Sequence, residues 1–272
     1  MRFLFCGDIV GKAGRDVVTA NVPRLRDQLN LDFVVANGEN AAHGFGITGK
    51  ICDELFDAGV DVVTGGNHSW DNIDILSRAD DEPRLLRPDN FQPGAPGRGV
   101  GVYETAKGLR VLVVNVLGRL FMDMYDNPFT SLDKHVPGSA PLDAGFDAVI
   151  VDFHAETTSE KNAVGHILDG RASLVVGTHT HIPTSDTRIL PGGTGYQTDA
   201  GMCWDYDSVI GMDKNASVSR FLGELPRPRM APAEGEGTLS GVVVDTDPAT
   251  GLASRIQAIR LGGQLQVSWP TV

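Results

Sequence analysis

The amino-acid sequence predicts an α/β fold of parallel strands joined by helical crossovers, and three observations carry that prediction. Short apolar runs rich in β-branched residues alternate with polar, glycine-containing clusters and helical patterns. The runs are nearly continuous in apolar residues, which marks strands covered on both faces. A polar cluster follows almost every run, where the strand ends of α/β sheets gather ligands. With 272 residues, 41% of them hydrophobic and 21% charged, the chain has ample material for a core and reads as one domain, 1–272.

The elements follow in order. Arg2–Cys6 (RFLFC) is the first run, and Val18, Val22, Leu25 and Leu29 then recur on one helix face. A second run at 32–36 (DFVVA) precedes a helix over 48–58, with Ile51, Leu55 and Ala58 on one side and Gly59 as its stop. Further runs lie at 61–64 (DVVT), 109–116 (LRVLVVNV), 146–152 (FDAVIVD) and 173–176 (SLVV), with a helix expected over 159–168. Residues 83–101, crowded with Pro and Gly, read as an irregular loop, as do 228–237. The stretches 239–245 and 255–261 predict an antiparallel pair around a turn at 248–251.

Charge narrows the function classes. Lys plus Arg number 23 against 35 Asp plus Glu, a net charge of −12, so a binder of long nucleic acid is disfavoured. Cys6, Cys52 and Cys203 show no CxxC spacing and read as reduced thiols. No apolar stretch approaches the length of a membrane span, and a soluble cytoplasmic protein is the expectation.

The strand ends hold the chemistry. Gly7-Asp8 follows the first run, Asn37-Gly38-Glu39-Asn40 the second and Gly65-Gly66-Asn67-His68 the third; later runs are followed by Phe153-His154-Ala155-Glu156 and Gly177-Thr178-His179-Thr180-His181. Four of the seven histidines therefore sit at strand ends, beside carboxylates, carboxamides and glycines. Oxygen and nitrogen donors without thiolate favour Mn, Fe or Zn, and there are more of them than one tetrahedral ion needs. Two ions are expected, bridged by a carboxylate such as Glu39, an arrangement typical of phosphoester hydrolysis. His179 and His181, at i and i+2, would share a side if their segment were extended, one for each ion.

The set of motifs GDIVG (7–11), NGEN (37–40), GGNH (65–68), DFHAE (152–156) and GTHTH (177–181) resembles the calcineurin-like metallophosphoesterases. It is most similar to their bacterial YmdB-type branch, which YQTDAGM at 196–202 and the closing strand pair also match. The resemblance implies a four-layer αββα sandwich of the metallophosphoesterase type. It also implies one metal on Asp8, Glu39, Asn40 and His181, a second on Glu39, Asn67, His154 and His179, and His68 as general acid. Val10 stands where the wider superfamily has a histidine, and Glu39 where it has a bridging aspartate; the YmdB-type branch shares both changes. The implied cofactors are two divalent or mixed-valence ions, iron or manganese, with zinc or magnesium as alternatives. The implied reaction is in-line attack of a metal-bridging hydroxide on a small nucleotide phosphodiester, 2′,3′-cyclic nucleotides especially. Rival readings are a phosphomonoesterase or nucleotidase on the same site and a metal-containing regulatory nucleotide-binding protein. No membrane and no long nucleic acid are expected as partners; a homo-oligomer is left open.

Other signals are refused. Residues 44–49 satisfy GxGxxG, but they begin well past the strand end, and Ile51 occupies the position where a P-loop needs Ser or Thr. A loop flanking the metal site is preferred there. There is no GxSxG elbow. His43 reads as solvent-exposed, His135 as surface and His166 as structural. Trp204, Tyr206 and Phe121 read as packing residues ahead of base-stacking ones, and Met122, Met124 and Tyr125 are candidates for a rim loop.

Overall fold

The computed structural model of the chain describes residues 1–123 and 125–271; Met124, one of the rim-loop candidates, lies outside them. In chain order the first half consists of β1 (Arg2–Cys6), β2 (Asp8–Ile9), α1 (Gly11–Leu29), β3 (Phe33–Asn37), α2 (Gly49–Asp57), β4 (Val62–Thr64), β5 (Val100–Glu104), β6 (Arg110–Leu117) and α3 (Pro128–His135). There follow β7 (Ala148–His154), α4 (Thr158–Ile167), β8 (Leu174–Thr178), β9 (Arg188–Ile189), β10 (Gly195–Gln197), β11 (Met202–Cys203), α5 (Lys214–Phe221), β12 (Leu239–Thr246) and β13 (Ala253–Leu261).

The strands form two large sheets. One has the order β13-β12-β1-β3-β4 and the other β5-β6-β7-β8-β10-β9, while β2 pairs with β11. Within them β1-β3-β4 and β6-β7-β8-β10 run parallel, as the crossover pattern predicts. Antiparallel partners close the edges: β12 and β13 on the first sheet, β5 and β9 on the second.

The alternating faces of these strands supply the layers. Phe3, Phe5, Phe33, Val35 and Val62 meet Val111, Val113, Ala148, Ile150, Leu174 and Val176 in a core between the sheets. The outer face of the first sheet, with Leu4, Val34, Ala36 and Val63, is covered by Val18, Val22, Leu25 and Leu29 of α1 and Ile51, Cys52 and Leu55 of α2. Leu112, Val114, Val116, Val149, Val151 and Phe153 on the other outer face pack under Leu132 of α3 and Val164 of α4. The result is helix, sheet, sheet, helix, and burial on both faces explains the continuous apolar runs.

Several elements depart from the sequence expectation. β5 begins inside the segment read as loop, and β7 ends two residues past the apolar run, so His154 is the last residue of the strand. The short helices α3 and α5 were not expected; each is started by a side chain, Asn127 or Asp213, accepting a backbone N–H of the first turn. Eight residues are too few for a helical period to stand out. His43 is exposed as expected, but His166 is also exposed on α4, whereas His135 is half-buried beside Asp89. Trp204 is buried with Val10, Met202 and Ala233, Tyr206 packs against them, and Phe121 is 90% exposed. All three cysteines are buried free thiols. Among the described residues no helix is long and apolar enough to cross a membrane.

Candidate metal centre

Every strand-end cluster singled out in the sequence comes to one edge of the two-sheet stack. Asp8 lies in β2, whose backbone pairs with β11, and a bridge between Val10 and Asn40 pins the first cluster to the second. Glu39 and Asn40 leave the end of β3, Asn67 and His68 the end of β4, His154 ends β7, and His179 and His181 follow β8. The segment at Asn67 is a turn and starts no helix.

Two groups of ligand atoms result, each closed to within 4.8 Å: Glu39, His154 and His179 in one, Asp8, Glu39 and His181 in the other. Glu39 belongs to both. His154 Nε2 lies 3.1 Å from Glu39 Oε1, from Asn67 Oδ1 and from His179 Nδ1. Asn40 Nδ2 is 2.9 Å from Glu39 Oε1 and 3.3 Å from His181 Nε2, which places Asn40 with the second group. Gly66 is a spacing requirement, because a Cβ there would come within 2.2 Å of Glu39 Oε2 and 2.4 Å of His154 Nε2.

The extended segment imagined for His179 and His181 is not found. Both residues have left-handed backbone, at φ 96° and 66°, and so reach separate groups from a bend. Thr180 between them is tied to the core: its N–H and hydroxyl donate to Asp199 Oδ2 at 3.1 and 2.6 Å, and Asp199 is paired at 2.7 Å with the buried Lys161 of α4.

The electrostatics fit a cation site. Asp8 and Glu39 are fully buried carboxylates, and Asp8 Oδ1 has no hydrogen-bond partner among the described residues. Burial pushes Asp8 up to about 7, against the pull of His181 and His154. Burial disfavours a charged His154 as well, yet Glu39 and Asp8 outweigh it and raise its pKa to about 9. His179 is driven down to about 3 by burial and by His154, leaving a neutral imidazole of the kind a metal requires. Two buried carboxylates call for compensating positive charge, and an orphaned carboxylate oxygen within a ring of imidazoles and carboxamides is where a divalent ion would supply it. The donor set therefore fits the expected pair of metals.

His68 stands at the rim. Its N–H donates to Glu39 Oε2 at 3.1 Å, and its Nδ1 is 2.6 Å from Asp71 Oδ2. Sequence reasoning did not single out Asp71, although an acidic residue three positions after a candidate acid is a readable signal. The sequence motifs include Asp199 and Glu156 without a role for either, and Lys161 stands in none of them; Glu156 Oε2 is 3.1 Å from His179 Nε2. His154 is oriented from behind, since its Nδ1 meets Thr178 Oγ1 at 2.9 Å, and that hydroxyl donates to the buried Asp152 at 2.7 Å. The glycine-rich stretch at 44–49 runs beside the centre: Gly44 and Phe45 line the same cleft of about 350 Å³ as His68, His179 and His181.

The model of the YmdB-like protein family matches residues 4–259. The chain is 48% identical to the 2′,3′-cyclic-nucleotide 2′-phosphodiesterase of Bacillus subtilis, over 95% of this chain and 96% of that one. Among solved structures, a hypothetical protein of Thermus thermophilus is 41% identical with a TM-score of 0.86, covering 97% of this chain and 100% of that one. A novel phosphatase from Mycoplasma pneumoniae is 36% identical with a TM-score of 0.86, covering 96% and 93%.

Proposed function

The chain belongs to the YmdB-like family, and from that premise we propose that it is a metal-dependent phosphodiesterase acting on small nucleotide phosphodiesters, 2′,3′-cyclic nucleotides foremost. It is a phosphoric ester hydrolase by kinship with phosphodiesterase and phosphatase relatives. The observation that carries the finer reading is the pair of ligand groups sharing Glu39, since two adjacent cations suit the attack and departure of oxygens at one phosphorus.

In this reading Asp8, Glu39, Asn40 and His181 hold one ion and Glu39, Asn67, His154 and His179 the other, iron or manganese being the candidates. Ions bound there would supply Lewis acidity, lowering the pKa of water towards neutrality and offsetting charge on the phosphoryl oxygens. The chain's own residues do the rest. Asp8 and Glu39 provide the negative charge that retains cations, and the Thr178–Asp152 pair fixes the ring of His154. Asp71 holds His68 through Nδ1, leaving Nε2 to protonate the departing ribose oxygen. The three buried thiols support a reducing, cytoplasmic setting.

The test is a comparison of initial rates by manganese- or iron-loaded protein on adenosine 2′,3′-cyclic phosphate and on adenosine monophosphates. Preferential turnover of the cyclic diester is expected. A reversed preference would favour a phosphomonoesterase, the reading that the phosphatase neighbour supports. Tight binding of the cyclic nucleotide without turnover would favour a regulatory protein.

A further inference from the structure

We propose that Phe45 is the stacking face of a nucleobase slot beside the metal centre, an inference that rests on the phosphodiesterase reading above. The loop that carries Phe45 is firmly held. Its N–H donates to the Ala42 carbonyl at 3.1 Å, the Ala42 N–H to the Gly46 carbonyl at 2.8 Å and the Gly44 N–H to the Asn40 carbonyl at 3.2 Å. His43, Gly44 and Gly46 are left-handed, at φ 56°, 94° and 71°, and a Cβ on Gly46 would come within 2.8 Å of the Asn72 backbone nitrogen. Left-handed backbone is natural at the two glycines, whereas at His43 it is kept only where its surroundings hold it. Yet this loop buries Ile47 in the core and leaves Phe45 48% exposed in the cleft, although burying a phenyl ring is among the largest gains a side chain offers.

Geometry relates the ring to the reaction. Phe45 packs edge-on against His68, with centroids 5.1 Å apart and planes at 73°. The oxygen that His68 protonates in the proposed reaction belongs to the ribose, so the nucleoside must lie on the His68 side of the centre, which is the side of Phe45. Ile210 and Met212 contribute further apolar wall to the same cleft. Ile210 is a β-branched residue at φ 45° and 54% exposed, and its carbonyl accepts from His181 Nδ1 at 2.8 Å. Left-handed backbone at a β-branched residue is an outlier, and here it couples a ligand-group histidine to an apolar surface. A cleft of about 350 Å³ is of the size of a single small ligand. Stacking on an aromatic face tolerates any base, so the slot takes nucleotides as a class without selecting one base strictly.

The experiment compares wild type, Phe45→Ala and Phe45→Trp, all metal-loaded, on adenosine 2′,3′-cyclic phosphate and on the base-free ribose 2,3-cyclic phosphate. In Phe45→Ala the ratio of kcat/KM for the nucleotide to that for the base-free ester should fall roughly tenfold, carried mainly by KM, and Phe45→Trp should restore it. Equal losses on both substrates would make Phe45 a support for His68, and an unchanged ratio would leave the base elsewhere; either overturns the slot. Calorimetry supplies a readout that does not need turnover. The preference for adenosine 3′-monophosphate over inorganic phosphate should fall by a similar factor in Phe45→Ala, and an unchanged preference overturns the slot. If wild type hydrolyses no cyclic ester, the phosphodiesterase reading fails, and this binding comparison still decides for or against the slot.

Discussion

Glu39 and His68 lie 29 positions apart and are joined by a single hydrogen bond from the His68 backbone to a Glu39 oxygen, yet they are proposed to do different work. Glu39 is the one carboxylate common to both ligand groups, so Glu39→Ala should lose metal, measured as ions per chain by elemental analysis. His68→Ala should keep its metal and lose roughly 10²–10⁴-fold in kcat, the usual contribution of a general acid. Normal metal occupancy in Glu39→Ala would refute the shared-ligand assignment; lost metal in His68→Ala would make that residue a support. At this scale the residues that the structure brings together were legible in the sequence, because they are unusual residue types at strand ends. Asp71 stands at a readable spacing of three from His68, but the spacing alone does not say that its carboxylate turns back onto that ring.

The element that decides the site's shape is the bend after β8. Holding two left-handed histidines costs on the order of 1–3 kcal/mol each, and the Thr180–Asp199–Lys161 connection from α4 retains them. Asp199→Ala should destabilise the protein by about 3–5 kcal/mol, because it leaves the Lys161 ammonium buried without a partner. The double variant Lys161→Met with Asp199→Asn should recover most of that stability, because replacing a buried pair is often near neutral. It should still bind manganese more weakly than wild type, since Thr180 loses its charged acceptor. Thermal melts of the metal-free proteins and metal titrations separate the two effects. Long elements such as α1 and β6 announced themselves through periodicity or unbroken apolar runs. The bend did not, because its conformation is imposed by residues roughly twenty positions away in sequence on either side.

For the molecule as a whole, a net charge of −12 should disfavour long phosphodiesters at the centre. Two divalent ions would make the cleft locally cationic while the surface stays acidic. Hydrolysis should therefore fall steeply as an oligonucleotide substrate lengthens, and the decline should flatten between about 10 mM and 1 M salt, as the Debye length shrinks from about 30 to about 3 Å. A rate independent of length at low salt would refute this account. The sequence by itself determined the alternation of strands and helices, the burial of both strand faces and the identity of the ligand-type residues, because each is written in local residue types and periods. The two facing sheets were expected only through the family resemblance, and the sharing of Glu39 from its residue type and that resemblance; the tertiary structure brings both about, and it alone places Asp199 behind Thr180 and Phe45 against His68. Those relations depend on distances between residues far apart in the chain, and a local pattern does not encode which distant partners will meet once the two sheets close on their shared core.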